Sequence, residues 1–168
     1  MTIAEAYRRY HSINIEMLIS DVFDSVSEQI EQLNREQLEK GLNAKGEKIG
    51  DKPPYNFPEY FEKHKTHRIN KGLQVGFIDL NWEGKFYKSI YAKKEGEYVE
   101  IFSNDNLSKV NALMFGGRGE GDSKCGCESV RKGGFGEEIF GLTDENKLTV
   151  KGLTRDILIE IIEQVMNI

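Results

Sequence analysis

Between residues 15 and 38 the apolar side chains Leu18, Ile19, Val22, Val26, Ile30 and Leu33 recur every three or four positions, with Asp, Glu and Gln between them. That spacing follows the turn of an α-helix and predicts one long helix with a single face to bury. The rest of the chain has to supply the surface that covers this face. Gly41 stands where a left-handed C-terminal cap belongs, and Asn43-Ala44-Lys45-Gly46 is turn chemistry, so the helix is expected to stop there. Pro53-Pro54 then enforces extended backbone.

With 168 residues the chain has the length of one domain and can bury a core without a disulfide or a metal. Its 38% hydrophobic and 30% charged residues are those of a globular protein, with an apolar fraction modest enough that neighbours would add to its order. A net charge of −5 argues against binding driven by phosphate neutralisation, which needs clustered Lys and Arg. The two cysteines, Cys125 and Cys127, are too close in sequence to pair easily with each other and fit a reducing compartment. Residues 1–9 are polar and carry no apolar signal core, and no run approaches the ~18 apolar residues of a membrane span. An aqueous, cytosol-like setting with no membrane partner is the expectation.

Further along, residues 58–72 suggest a short exposed helix or an irregular arm, and residues 73–80 a short strand interrupted by Gly76. Residues 82–89 read as one or two helical turns that lead into a strand through Ile90, Tyr91 and Ala92. Residues 93–97 are the expected hairpin tip and residues 98–102 the returning strand, with Val99 and Ile101 on one side. Leu107, Val110, Leu113 and Met114 follow the capping candidates Asn104, Asp105 and Asn106 and predict a short helix. Eight glycines within residues 116–136 make ordering costly there, so a flexible loop is expected. Thr154 is the expected cap of a C-terminal helix whose Ile157, Leu158, Ile161, Ile162, Val165 and Met166 must pack on the sheet or on another subunit. These expectations together describe one α+β domain over residues 1–168. It has a long N-terminal helix, a small antiparallel sheet with a central β-hairpin, a short helix, and a C-terminal amphipathic helix packed on the sheet.

Little in the sequence resembles a reaction centre. His64 and His67 are three apart and, with Cys125 and Cys127, supply the residue types of a four-ligand zinc site. Cys-x-Cys is unusual zinc spacing, however, and the flanking lysines oppose a cation, so a solvated basic segment is the plainer reading. Gly116-Gly117-Arg118-Gly119-Glu120-Gly121 has the glycine content of a phosphate loop but lacks the Gly-Lys-Ser/Thr and the following helix. No serine sits in a Gly-x-Ser-x-Gly elbow. No cofactor and no catalytic residue is therefore assigned, and the chain does not read as an enzyme. The notable side chains are aromatic: Trp82, Phe86, Tyr87, Tyr91, Tyr98 and Phe102 gather around the hairpin. Ordinary core packing explains several of them, while outward-facing Tyr and Trp are the residues that dominate subunit contacts. Trp82, Tyr87, Tyr91, Tyr98, Phe115 and Phe140 are the interface candidates.

Three segments carry a family resemblance: Gly84-Lys85-Phe86-Tyr87-Lys88-Ser89-Ile90, Leu113-Met114-Phe115-Gly116 and Ile139-Phe140-Gly141-Leu142-Thr143. In the order long helix, Ser-Ile block, hairpin, Phe-Gly helix, Ile-Phe-Gly-Leu segment and C-terminal helix, the chain resembles the neck, tail-completion and minor tail proteins of tailed bacteriophages, those of Bacteroidetes-type hosts in particular. The resemblance implies a virion structural protein, a head-tail connector assembled in the host cytoplasm as a ring of about six or twelve copies. Its implied partners are its own copies and the portal, neighbouring neck or tail-tube proteins, with DNA passing through the ring without sequence-specific binding. Outside that family, the sequence leaves open a small zinc-binding protein or enzyme using His64, His67, Cys125 and Cys127, or a non-viral soluble adaptor.

Overall fold

The structure, a computed structural model, describes residues 2–51, 59–60, 62–116 and 134–166. Its elements are α1 (Ile3–Ser12), α2 (Ile15–Glu39), α3 (Glu62–Asn70), α4 (Lys85–Lys88), β1 (Ile90–Glu95), β2 (Tyr98–Ser103), α5 (Leu107–Phe115), a 3-10 turn (Glu137–Ile139) and α6 (Asp144–Met166). The fold is α+β, as the sequence predicts. Pro53-Pro54, most of the glycine-rich stretch and both cysteines lie outside the described residues.

The long helix starts at Asn14, whose side chain accepts from the Glu16 and Met17 amides, and it ends in a Schellman motif. Leu42 N–H donates to the Gln37 carbonyl and Gly41 N–H to that of Leu38. Gly41 sits at φ +73°, and a Cβ there would also lie 2.5 Å from the Phe77 ring. The residue therefore answers to two demands, the left-handed cap and the close passage of residues 77–78.

Two clusters make the core, and both rest on α2. In one, Leu38 packs with Ile49, Ile78, Phe86, Tyr87, Ile90 and Ile139, with Leu113, Met114 and Phe140 against them. In the other, Val26, Ile30 and Leu142 pack with Leu33, Ala92, Ile101, Val150 and Ile157. Ile101 of β2 touches both. The three segments of the family resemblance thus converge on the end of α2 around Leu38.

The hairpin pairs Ile90 with Ser103 through Glu95 with Tyr98, with β1 running three residues and β2 one residue further than the sequence suggests. Only Gly96 and Glu97 form the turn, and Gly96 takes the positive φ that tight hairpin turns require. Lys93 faces Glu100 across the ladder, so the charges read as a tip are a cross-strand pair.

Three expectations are corrected. Residues 73–80 form no strand, because side chains satisfy their backbone: Gln74 bonds the Phe77 carbonyl and amide, Arg68 takes the Gln74 carbonyl, and Tyr60 Oη accepts from Asp79 N–H. Leu80 follows in a left-handed conformation, φ +58°. Second, α6 begins at Asp144 rather than at Thr154, with Thr143 Oγ1 accepting from the Asn146 amide. Gly152 is carried inside the helix. Third, α6 runs chiefly along α2, where Val150 and Ile157 pack against the Val26, Ile30 and Leu142 cluster.

Gly96, also at positive φ, has open space where a Cβ would go. Gly96→Ala is expected to cost about 1 kcal/mol from backbone conformation alone. Gly41→Ala should cost at least about 1 kcal/mol more, because the Phe77 ring must also move. Urea denaturation of the two variants measures the difference.

Candidate assembly surface

The side chains of α2 divide its length into two regions. Toward its C-terminus they are polar and bind other segments. Asn34 Nδ2 donates to the Gly141 carbonyl at 2.7 Å, and Gln37 donates to the same carbonyl while accepting from Thr143 N–H. Arg35 donates to the Tyr87 and Ile90 carbonyls and pairs with Glu31, which accepts from Ala92 N–H. The backbone at Tyr87 and at Gly141–Thr143, and the groups of β1 at Ile90 and Ala92, are thus held by α2 side chains. Amides and guanidinium suit this role, since each reaches two backbone groups that burial would otherwise leave unpaired.

A second polar node supports the first from below. Arg68 is 1% exposed and makes a two-pronged bond to Asp79, with both contacts at 2.9 Å. Its remaining donors reach the Gln74 and Asn81 carbonyls, and its guanidinium lies 4.0 Å from the centre of the Tyr60 ring. Asp79 also accepts from Tyr60 Oη, Gln74 Nε2 and Asn81 N–H, while the Tyr87 hydroxyl donates to the Asp79 carbonyl. Every prong of the ion pair is matched, the condition under which a buried pair is tolerated. Burial, and for Tyr60 the bond to the Asp79 carboxylate, pushes both phenols well above the ordinary tyrosine value.

The N-terminal half of α2 differs. Ile15, Ile19, Val22 and Val26, with Val99 on the hairpin and Leu158 on α6, line an open apolar groove of about 950 Å³. Ile15, Met17 and Ile19 remain exposed, as do Tyr98 and Val99 at the hairpin end. A cleft bounded on three sides by secondary structure and lined by aliphatic side chains offers contact area and no reactive group.

The aromatic interface candidates separate on burial. Tyr98 is 73% exposed, while Trp82, Tyr91 and Phe115 are partly exposed. Trp82 carries the Lys71 ammonium 4.5 Å from its ring centre, and Tyr91 packs on Phe102 across the hairpin. Tyr87 is corrected: it is buried in the Leu38 cluster, where its hydroxyl is occupied by Asp79, so it offers no surface to a partner. Phe140 packs against Phe86 and is mainly a core residue. Only Tyr98 among the six borders the groove. The sequence reading missed the groove itself, because a 3.6-residue stripe marks a face to be covered without saying what covers it. His64 lies against the Trp82 ring, and no group of three or more His, Cys, Asp or Glu suited to a metal occurs among the described residues. Among those residues, no helix is long and apolar enough to cross a membrane.

Compared with known protein families, curated proteins and solved structures, the chain matches none.

Two predictions test the polar node. Arg68→Met leaves Asp79 buried without its cation and should destabilise the fold by about 3–5 kcal/mol. Arg68→Lys should recover little of this, since one ammonium cannot span four acceptors. Because the folded phenols ionise above their unfolded value of 10.0, stability should hold below about pH 10 and fall above it, as the unfolded chain releases protons that the folded chain keeps. Tyr87→Phe should flatten that fall in denaturation curves taken between pH 9 and 11.

Proposed function

We propose that this chain is a structural virion protein of a tailed phage. It forms a homo-oligomeric ring in the neck or tail, stacked on portal or tail-tube proteins around the channel through which DNA passes. The observation that carries this reading is the convergence of the three resembling segments on one cluster around Leu38, while the apolar groove along the other half of α2 stays open. Segments far apart in sequence that meet in one core are what a shared fold requires, and an exposed aliphatic cleft is what a subunit contact uses. The net charge of −5 suits a surface that lets DNA pass without gripping its phosphates. Both cysteines of the zinc reading lie outside the described residues. The adaptor reading shares the groove and differs in what fills it.

Purified particles test the proposal. Mass spectrometry should find the chain at a fixed copy number per particle, and averaged electron micrographs should show it as a ring at the head-to-tail junction. Its absence from particles would remove the virion reading. Tyr98→Ala should change stability by no more than about 0.5 kcal/mol, because the ring is mostly in solvent, yet lower incorporation into particles. Tyr91→Ala should lose some of both, since its ring packs on Phe102.

A further inference from the structure

We propose that the groove along the N-terminal half of α2 receives helix α1 of a second copy of this chain, so that each subunit offers an arm on one side and a socket on another. This deepens the ring proposed above and rests on it.

The arm is a formed helix. Thr2 and Glu5 make a reciprocal capping box at its start, and its residues follow one another without a break to Ser12. Among the described residues nothing covers its apolar stripe. Ile3, Tyr7 and Tyr10, four and three residues apart, are 91%, 65% and 67% exposed. The arm is held to its own subunit at a different side, where Arg9 donates to the Met166 carbonyl at the end of α6. A two-residue link, Ile13-Asn14, then joins it to α2.

The socket matches it in length, chemistry and charge. Ten residues of helix span about 15 Å, and the stretch of α2 from Ile15 to Ile30 that borders the groove runs about 24 Å. Aliphatic walls suit an Ile and two Tyr rings, whose hydroxyls would reach the polar rim of Glu16, Lys94 and Glu97. The charged residues that border the groove are two acids, Glu16 and Glu97, and one cation, Lys94. The arm carries Arg8, Arg9 and His11 against one acid, Glu5. A small acidic excess at the rim and a basic excess on the arm favour their meeting. Because arm and socket are different surfaces, the contact runs head to tail, and it closes into a ring where the rotation per copy divides a full turn.

Complementation between two full-length variants tests this. Tyr7→Asp with Tyr10→Asp disables the arm and leaves the socket. Ile19→Lys with Val99→Lys disables the socket and leaves the arm. All four positions are exposed, and circular dichroism checks that both variants are folded. In sedimentation velocity the unaltered chain should form species larger than two copies. Each variant alone should remain monomeric at concentrations at least tenfold higher, and their equimolar mixture should give a two-chain species and nothing larger. Either variant assembling like the unaltered chain, a mixture that stays monomeric, or an unaltered chain that never associates would overturn the proposal. Should the socket variant unfold, disulfide trapping replaces it. With Cys125→Ser and Cys127→Ser as background, a Tyr7→Cys chain mixed with a separately tagged Val99→Cys chain should form a mixed-tag disulfide dimer, and its absence counts against the contact. The two readings fail separately. An arm variant that enters particles at the normal copy number removes the arm contact and leaves the ring, whereas a chain missing from particles removes the virion role whatever the arm does.

Discussion

The set of hydrogen bonds that α2 makes to backbone elsewhere in the chain is the constraint on which the rest of the structure depends. A two-stranded sheet satisfies few peptide groups and is marginal by itself. Much of the remaining chain is irregular, so its carbonyls and amides need partners as they are buried. Asn34, Arg35, Gln37 and Glu31 supply them from one helix, each reaching a segment that is fifty or more residues away in sequence. Arg68 and Asp79 do the same for residues 74–81. Secondary structure here is a frame, and side-chain bonding is what attaches the other segments to it.

This arrangement explains why the resembling segments have their particular composition. Ile139 is buried beside Leu38, and Gly141 takes φ +131° with its carbonyl shared by Asn34 and Gln37. A Cβ at residue 141 would lie 3.0 Å from Ala44, so the glycine permits the close approach as well as the backbone angle. Phe86 and Tyr87 present their rings to the same cluster, while the Tyr87 carbonyl at the end of α4 accepts from Arg35. Short apolar motifs of this kind record how a chain docks on its own helix.

Much of this was legible in the sequence where the signal is local. The period of α2, its glycine cap, the hairpin and the Asn106 cap of α5 each depend on residues within a few positions of one another. Other features were hidden because they depend on distant partners. Lys63-His64-Lys65-Thr66-His67-Arg68 reads as a solvated basic run, and only the arrival of Asp79 eleven residues later turns Arg68 into the most buried cation. The start of α6 was missed because residues 144–152 show no apolar stripe and include a glycine. Helix α1 had a usable signal, the Thr2-x-x-Glu5 capping box, which the search for a leader segment passed over. The aromatic reading identified Tyr98 correctly as exposed and placed Tyr87 wrongly. Alternation along a strand gives no guide to Tyr87, which stands in a helical turn.

In the ring proposed above, the two halves of α2 would separate folding from association. Among the described residues, the long-range polar bonds made by α2 and the cluster containing Leu38 lie from residue 31 onward, while the half that faces the groove contributes the Val26 and Ile30 cluster and no long-range polar bond. Val22, Val26 and Ile30 are buried there, but Ile15, Met17 and Ile19 gain little from the folded monomer, and their burial is still to be realised. A subunit of the proposed ring, which would fold alone and then join identical neighbours, needs this separation. If the exposed stripe were required for folding, free chains would be unstable before assembly; if the polar bonds lay at the contact, association would strip water from charged groups already in use. Placing aliphatic side chains at the open end and polar bonds at the closed end lets the gain from association come from apolar burial, with the subunit's own hydrogen bonds left intact.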